Sequence, residues 1–252
     1  MVGFCSSQLS IQLRIIKQYF VLCFYVLEAF CLDIDVIYLG RMEYLKALEI
    51  QTRKWEKVSY EDERDTLFLV EHPPVITLGV RGKKENILIP EEELQRMGVS
   101  VVQVSRGGDV TYHGPGQIVG YPVMNLKHFG RDIHNFVEKI EDTFIRLLKD
   151  DYGITAGRGD KTYTGVWVGN DKITAIGIQV KRWTTMHGFA FNVNTDLSHF
   201  SWIVPCGLTD RGVTSLEKLT GRKQDMGILF KRTAEVFCEN FGVTPNFVDF
   251  ME

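Results

Sequence analysis

The sequence predicts an α+β fold: a mixed β-sheet with flanking helices packed against it. Three observations carry this. Strand-like runs outnumber helical ones, the two kinds interleave along the chain, and neither an internal repeat nor a low-complexity linker divides it. The interpretable domain begins near Asp33 and runs to the end, residues 33–252, with its last part free to form a small lobe. Residues 1–32 read as an apolar extension of uncertain status.

Taken in order, residues 33–40 (DIDVIYLG) have the β-branched and aromatic density of a first strand. A helix follows from Met42 to about Lys57, with Tyr44, Leu48 and Trp55 near one face. Residues 66–72 make a buried strand that Pro73 and Pro74 break, and 75–79 resume extended structure. Residues 90–98 open on a proline, carry acids in the first turn and end on glycine, which predicts a short helix. Strands are expected over 99–104 and 117–126, with a glycine-rich loop between them. The clearest helix is 132–153, where Ile133, Phe136, Val137, Ile140, Phe144, Leu147 and Leu148 form an apolar stripe. Residues 163–180 read as a hairpin turning at Gly169, Asn170 and Asp171, and 186–194 as a further strand. Helices near 215–219 and over 225–242 complete the pattern.

Composition bounds the function. The 252 residues are 44% apolar and 24% charged with net charge −3, and basic residues are not clustered, so nothing points to nucleic acid. The apolar run Tyr19 to Leu27 is too short to span a bilayer and is followed by Glu28. A dispensable extension, an added helix or a targeting segment all fit it. The five cysteines (Cys5, Cys23, Cys31, Cys206 and Cys238) show no CxxC pair and no zinc spacing, which favours reduced thiols in a cytoplasmic setting.

Two segments carry candidate chemistry. Cys238 lies on a helix beside Val236 and Phe237 and reads as a small buried hydrophobe. Cys206 sits in a loop between Pro205 and Gly207, where a thiol can act as a nucleophile once a cation or base activates it. Lys172, at the head of a strand after the hairpin turn, is one candidate partner, though taken alone it reads first as a solvated turn lysine; His113 and His187 are others, with a polar core residue as the alternative for each. The loop from Arg106 to His113 is neither a dinucleotide fingerprint nor a phosphate-binding GK[ST] loop. Gly107, Gly108, Gly114 and Gly116 let backbone approach a ligand closely, and Arg106 suits a carboxylate, a phosphate or a main-chain carbonyl. A surface loop is the plain alternative.

RGGDVTYHGPGQIVGYP, DKITAIGIQV and HGFAFNVNTDLSHFSWIVPCGL resemble, in that order, the signature blocks of the lipoyl(octanoyl) transferases. The resemblance covers about residues 35 to 220. It implies the fold shared with biotin and lipoate ligases, and transfer of an octanoyl or lipoyl group in lipoate biosynthesis. The implied donor is octanoyl-acyl carrier protein. The implied acceptors are lysines of the lipoyl domains of 2-oxoacid dehydrogenase E2 subunits and of glycine cleavage H protein. No cofactor and no metal are expected. By the same resemblance Cys206 forms the acyl thioester and Lys172 lowers its pKa. Arg106, Gly107, Gly108, Asp109, Val110, Thr111, Tyr112 and His113 match the substrate-binding segment, and Ala175, Ile176, Gly177, Gly188, Phe189 and Ala190 match stretches lining the acyl site. Val110, Ile176, Phe189 and Ala190 are apolar enough to wall a slot for the chain.

Overall fold

The computed structural model describes residues 32–159, 163–204 and 211–251. The strands are β1 (Asp33–Arg41), β2 (Thr66–Glu71), β3 (Val75–Leu78), β4 (Ser100–Gln103), β5 (Val110–His113), β6 (Gln117–Val123), β7 (Gly157–Arg158), β8 (Gly165–Val168), β9 (Asp171–Lys181), β10 (Thr184–Asn192), β11 (Gly212–Val213) and β12 (Thr244–Val248). The helices are α1 (Tyr44–Glu61), α2 (Glu91–Arg96), α3 (Ile133–Tyr152), α4 (Leu216–Thr220) and α5 (Met226–Phe241). The main sheet runs β12-β1-β2-β6-β10-β9-β8-β7, with β11 parallel to the start of β9. A second sheet, β4-β3-β5, stands apart from it.

Two sheets therefore replace the one the sequence suggested. Pro73 and Pro74 separate β2 from β3. Proline has no N–H for a ladder, so the chain leaves the main sheet there. The glycine-rich stretch is also more ordered than a loop: Val110–His113 pair with β3 as β5, leaving a short glycine-containing turn on either side. The chain end builds no lobe of its own, because β12 extends the main sheet beside β1.

Pro122 lies inside β6, a central strand, where a missing donor is costly. The ladder to β10 spans only Gly120 back to Gln117. Beyond it, Thr185 Oγ1 donates to Pro122 O at 2.6 Å and accepts from Met124 N at 2.9 Å. A side chain thus completes the pairing that proline interrupts.

Three apolar clusters hold the layers. Phe136, Phe144, Leu147, Phe189, Phe191 and Phe237 lie where α3 and α5 cover one face of the main sheet. Tyr44, Trp55, Phe68, Val119 and Ala190 fill the other face under α1. Ile76, Leu78, Leu94 and Tyr112 pack the small sheet against α2. Cys238 is buried in the first cluster, its thiol pushed up to about 12 chiefly by burial, as expected of an inert core residue. Cys5, Cys23, Cys31 and Cys206 lie outside the described residues. Among the described residues no helix is long and apolar enough to cross a membrane.

Candidate active site

β9 organises the site. Its first half pairs with β8, but that pairing stops at Ala175, while β10 follows β9 from Thr174 to Lys181. From Ile176 on, one edge of β9 is therefore open to another partner. Ser105 to Gly107 meet it: Ser105 Oγ donates to Gln179 Oε1 at 3.0 Å, and Gly107 N donates to Ile178 O at 2.9 Å. The approach is close enough that a Cβ on Gly177 would lie 2.8 Å from Gly107 O. These glycines thus let backbone meet backbone. Around this edge opens a cavity of about 1050 Å³ whose walls include β5, β9, β10 and the start of α3.

Of the residues singled out from sequence, Lys172, Arg106 to Thr111, His113, Ala175 to Gly177 and Gly188 to Ala190 all line this cavity. Val110, Ile176, Phe189 and Ala190 give it an apolar wall. Tyr112 is not among the lining residues. It alternates away from its neighbours on β5 and is 1% exposed in the small-sheet core. There its hydroxyl meets His199 Nδ1 at 2.7 Å, and its ring packs edge-on to Phe200 and Trp202. Tyr112 thereby anchors the turn of helix Leu197–Trp202, close before Cys206 in the chain.

The loop's charged groups are bound to protein. Arg106 is 8% exposed, donating to Thr77 O at 2.8 Å, Thr77 Oγ1 at 2.9 Å and Gly107 O at 3.0 Å. Of the three partners suggested for it, main-chain carbonyl is therefore one it has. Asp109 accepts from Val110 N and Asn86 Nδ2, both at 2.7 Å. The cavity histidines are neutral. Burial pushes His113 down to about 3, and its Nδ1–H donates to Gln117 Oε1 at 2.8 Å. His187, pushed down to about 4 by burial and then by Arg106, donates from Nε2 to Ser105 Oγ at 3.2 Å. It stands opposite Ile178, six residues along β9 from Lys172, roughly 20 Å of strand.

Lys172 is held differently. A register shift between Val166 and Trp167 brings Trp167 opposite it, and its Nζ lies 4.8 Å from the centre of that ring. The same Nζ donates to Thr164 O at 3.1 Å. Arg211 stacks on the same indole at 5.0 Å and on Tyr163 at 4.3 Å. Gly165, at φ +133° in a region that favours glycine, has Lys172 Cε 3.4 Å from where a Cβ would stand. β11 runs beside this end of β9, Val213 opposite Lys172, and Thr214 N donates to Lys172 O at 2.9 Å. Cys206 itself lies outside the described residues; Val204 and Arg211, the described residues flanking that segment, both line the cavity.

Sequence reasoning missed Trp167, Tyr163, Arg211 and Glu141, all on the cavity wall. Glu141 had a legible signal: an acid directly beside the apolar stripe of α3, and 5% exposed in the fold. Its carboxylate accepts from Gly165 N at 2.9 Å and faces Arg158 Nε at 3.3 Å.

A main sheet and a smaller one, with β9 and its glycine-lined edge at the cavity, define the protein as one of the lipoate-protein-ligase fold. The chain superposes on lipoate-protein ligase A bound with ATP with a TM-score of 0.70, covering 87% of this chain and 90% of that one at 14% identity. On a bipartite lipoate protein ligase from Thermoplasma acidophilum, whose structural study includes its E2 lipoyl domain, the TM-score is 0.67, with 88% of each chain covered at 14% identity. Within that fold, residues 43–238 match the lipoyl protein ligase A/B catalytic domain, and the chain belongs to this family. An octanoyltransferase of Caldicellulosiruptor saccharolyticus is 58% identical over 217 residues, 86% of this chain and 92% of that protein.

Proposed function

We propose that this protein is an octanoyltransferase of lipoate biosynthesis. It moves an octanoyl group from octanoyl-acyl carrier protein to a lysine of a lipoyl domain, by way of a thioester on Cys206. What supports the reading, beside the 58% identical octanoyltransferase, is the placement of Lys172. Its ammonium lies on the wall of an apolar-lined cavity, and the described residues on both sides of the Cys206 segment line the same cavity.

The chemistry follows in two stages. The Cys206 thiolate adds to the donor thioester carbonyl, and the tetrahedral adduct expels the carrier thiolate, which takes up a proton. The neutral amine of the acceptor lysine then adds to the new thioester. It loses a proton, expels the Cys206 thiolate and leaves an amide. The first stage exchanges one thioester for another; the second is downhill. Neither needs a nucleotide, because the acyl group arrives activated. A free thiol is only a few per cent thiolate at neutral pH, and each unit by which the Lys172 charge lowers its pKa is worth about 1.4 kcal/mol. Seven chain carbons against Val110, Ile176, Phe189 and Ala190 supply about 5–6 kcal/mol when fully dry, which selects for an acyl chain.

Intact mass after mixing with octanoyl-acyl carrier protein alone tests this. The wild type is expected to gain one octanoyl unit, lost on treatment with hydroxylamine, and Cys206→Ala to gain none and transfer none. Adduct-free protein that acylates a lipoyl domain only with ATP and free octanoate would make it a ligase instead.

A further inference from the structure

Glu141 and Lys172 grip the same peptide unit from opposite sides. The C=O of Thr164 and the N–H of Gly165 belong to one amide plane. The carbonyl accepts from Lys172 Nζ at 3.1 Å, and the N–H donates to Glu141 Oε1 at 2.9 Å. A carboxylate drawing on an amide N–H enriches the carbonyl oxygen at the other end, which then holds a cation more strongly. Gly165 allows this geometry: its φ is +133°, and a Cβ there would lie 2.5 Å from Thr174 O on the adjacent β9. Glu141 comes from α3, Thr164 and Gly165 from the edge of β8, and Lys172 from β9, so the relay also ties three elements at the cavity wall.

We infer that Glu141 is a positioning residue for Lys172, fixing its ammonium and favouring its charged form through the Thr164–Gly165 peptide. The inference rests on the role given to Lys172 above. The other charges facing the relay are Arg158 from β7, at 3.3 Å from Glu141 Oε2, and Arg211 over the Trp167 ring, with Glu138 and Asp142 one turn or one residue away on α3. Burial raises the Glu141 carboxyl, while the Gly165 N–H and Arg158 pull it back towards the ionised form. Arg158 also donates to Asp142 Oδ1 at 2.6 Å, so Glu141 does not have its charge to itself.

The test compares Glu141→Gln with the wild type across pH. Glutamine keeps an oxygen to accept from Gly165 N and removes only the charge. In Glu141→Gln the limb of the kcat/KM profile that Lys172 sets is expected to move down by about one pH unit, because the ammonium loses a nearby anion. kcat is expected to fall about tenfold on the far side of that limb, with KM for the acceptor domain unchanged. Combined with Lys172→Ala, Glu141→Gln is expected to add no further loss, as for two residues acting through one group. An unmoved limb, or a full additional loss in the double variant, overturns the inference. Should Lys172→Ala alone keep wild-type activity, the role of Lys172 falls, and this inference with it. Glu141→Asp, too short to reach Gly165 N, is expected to shift the limb as Glu141→Gln does; a wild-type profile in Glu141→Asp counts against the relay.

Discussion

The two ends of β9 face one cavity and are built on opposite terms. At the start of the strand, Lys172 and Arg211 both lie over the Trp167 ring, and Lys172 donates to Thr164 O. At the far end, Arg106 is bound to Thr77 and Gly107, while His113 and His187 are buried and neutral. Several hydrogen bonds to Thr77 and Gly107 tie Arg106 into the fold. Lys172 instead sets its ammonium against an aromatic ring on the wall of the apolar-lined cavity. The lesson is that charge in a pocket is no mark of chemistry by itself; what counts is the kind of partner the fold has given it.

The largest expected effect separates the two ends directly. Lys172→Ala is expected to lower kcat/KM for transfer by about 10²–10⁴-fold, the range for losing a positioned acid–base group. Its thermal midpoint should stay within a few degrees. Steady-state kinetics beside calorimetry decide it; a large fall in melting temperature with activity per folded molecule intact would make Lys172 structural. Arg106→Ala should do the reverse. It strips partners from Thr77 O and Gly107 O in a buried site, at about 3 kcal/mol of stability. Urea unfolding should show this loss, with activity at low temperature falling far less than in Lys172→Ala.

How far was this legible beforehand? The strong apolar periodicities of α3 and α5 and the buried run of β2 are where the sequence placed them, because their signal is burial itself. β12 went unseen since its residues are half polar, contain Pro245 and lie largely exposed at a sheet edge. The β9–β10 hairpin went unseen because its turn holds no glycine. Arg182 and Trp183 adopt φ of +56° and +63°, which costs energy that local contacts must offset. Arg182 stacks on Tyr60 at 4.4 Å, and Trp183 O accepts from Leu126 N at 2.6 Å. The same division runs through the site. Residues adjacent in sequence to a glycine cluster or a strand start were found. Glu141, Trp167 and Arg211 were not, since what gathers them is the packing of α3, β8 and β11 around Lys172.

The buried histidines sharpen the comparison through pH. His72, whose Nδ1–H donates to Met42 O and whose Nε2 accepts from Tyr121, is pushed down to about 4 by burial, like His187; His113 lies lower still. A histidine whose folded pKa lies below its unfolded value binds fewer protons when folded. The stability it contributes is complete above about pH 6.5 and is lost as pH falls towards 4. At pH 5 each such group costs up to about 2 kcal/mol relative to pH 7. Denaturation midpoints should fall between pH 7 and pH 5, and less steeply in His187→Gln than in wild type. An equal slope would mean that His187 does not titrate with folding.

The smallest effect probes the slot between the two ends. Ile176 lies at the point where β9 loses β8 as a neighbour, so its side chain is set by the sheet and the cavity alone. Ile176→Val removes one methylene from the wall, worth about 1 kcal/mol if the acyl chain packs on it. The change leaves Lys172 and its contacts untouched. kcat/KM with the octanoyl donor should fall up to about fivefold, and the ratio of decanoyl to octanoyl transfer should rise, because the longer chain can fill the space vacated. A uniform loss across six-, eight- and ten-carbon donors would place the chain elsewhere in the cavity, along Val110 or Ala190 instead. Such a result would keep the contrast between the two ends of β9 but redraw the path that joins them.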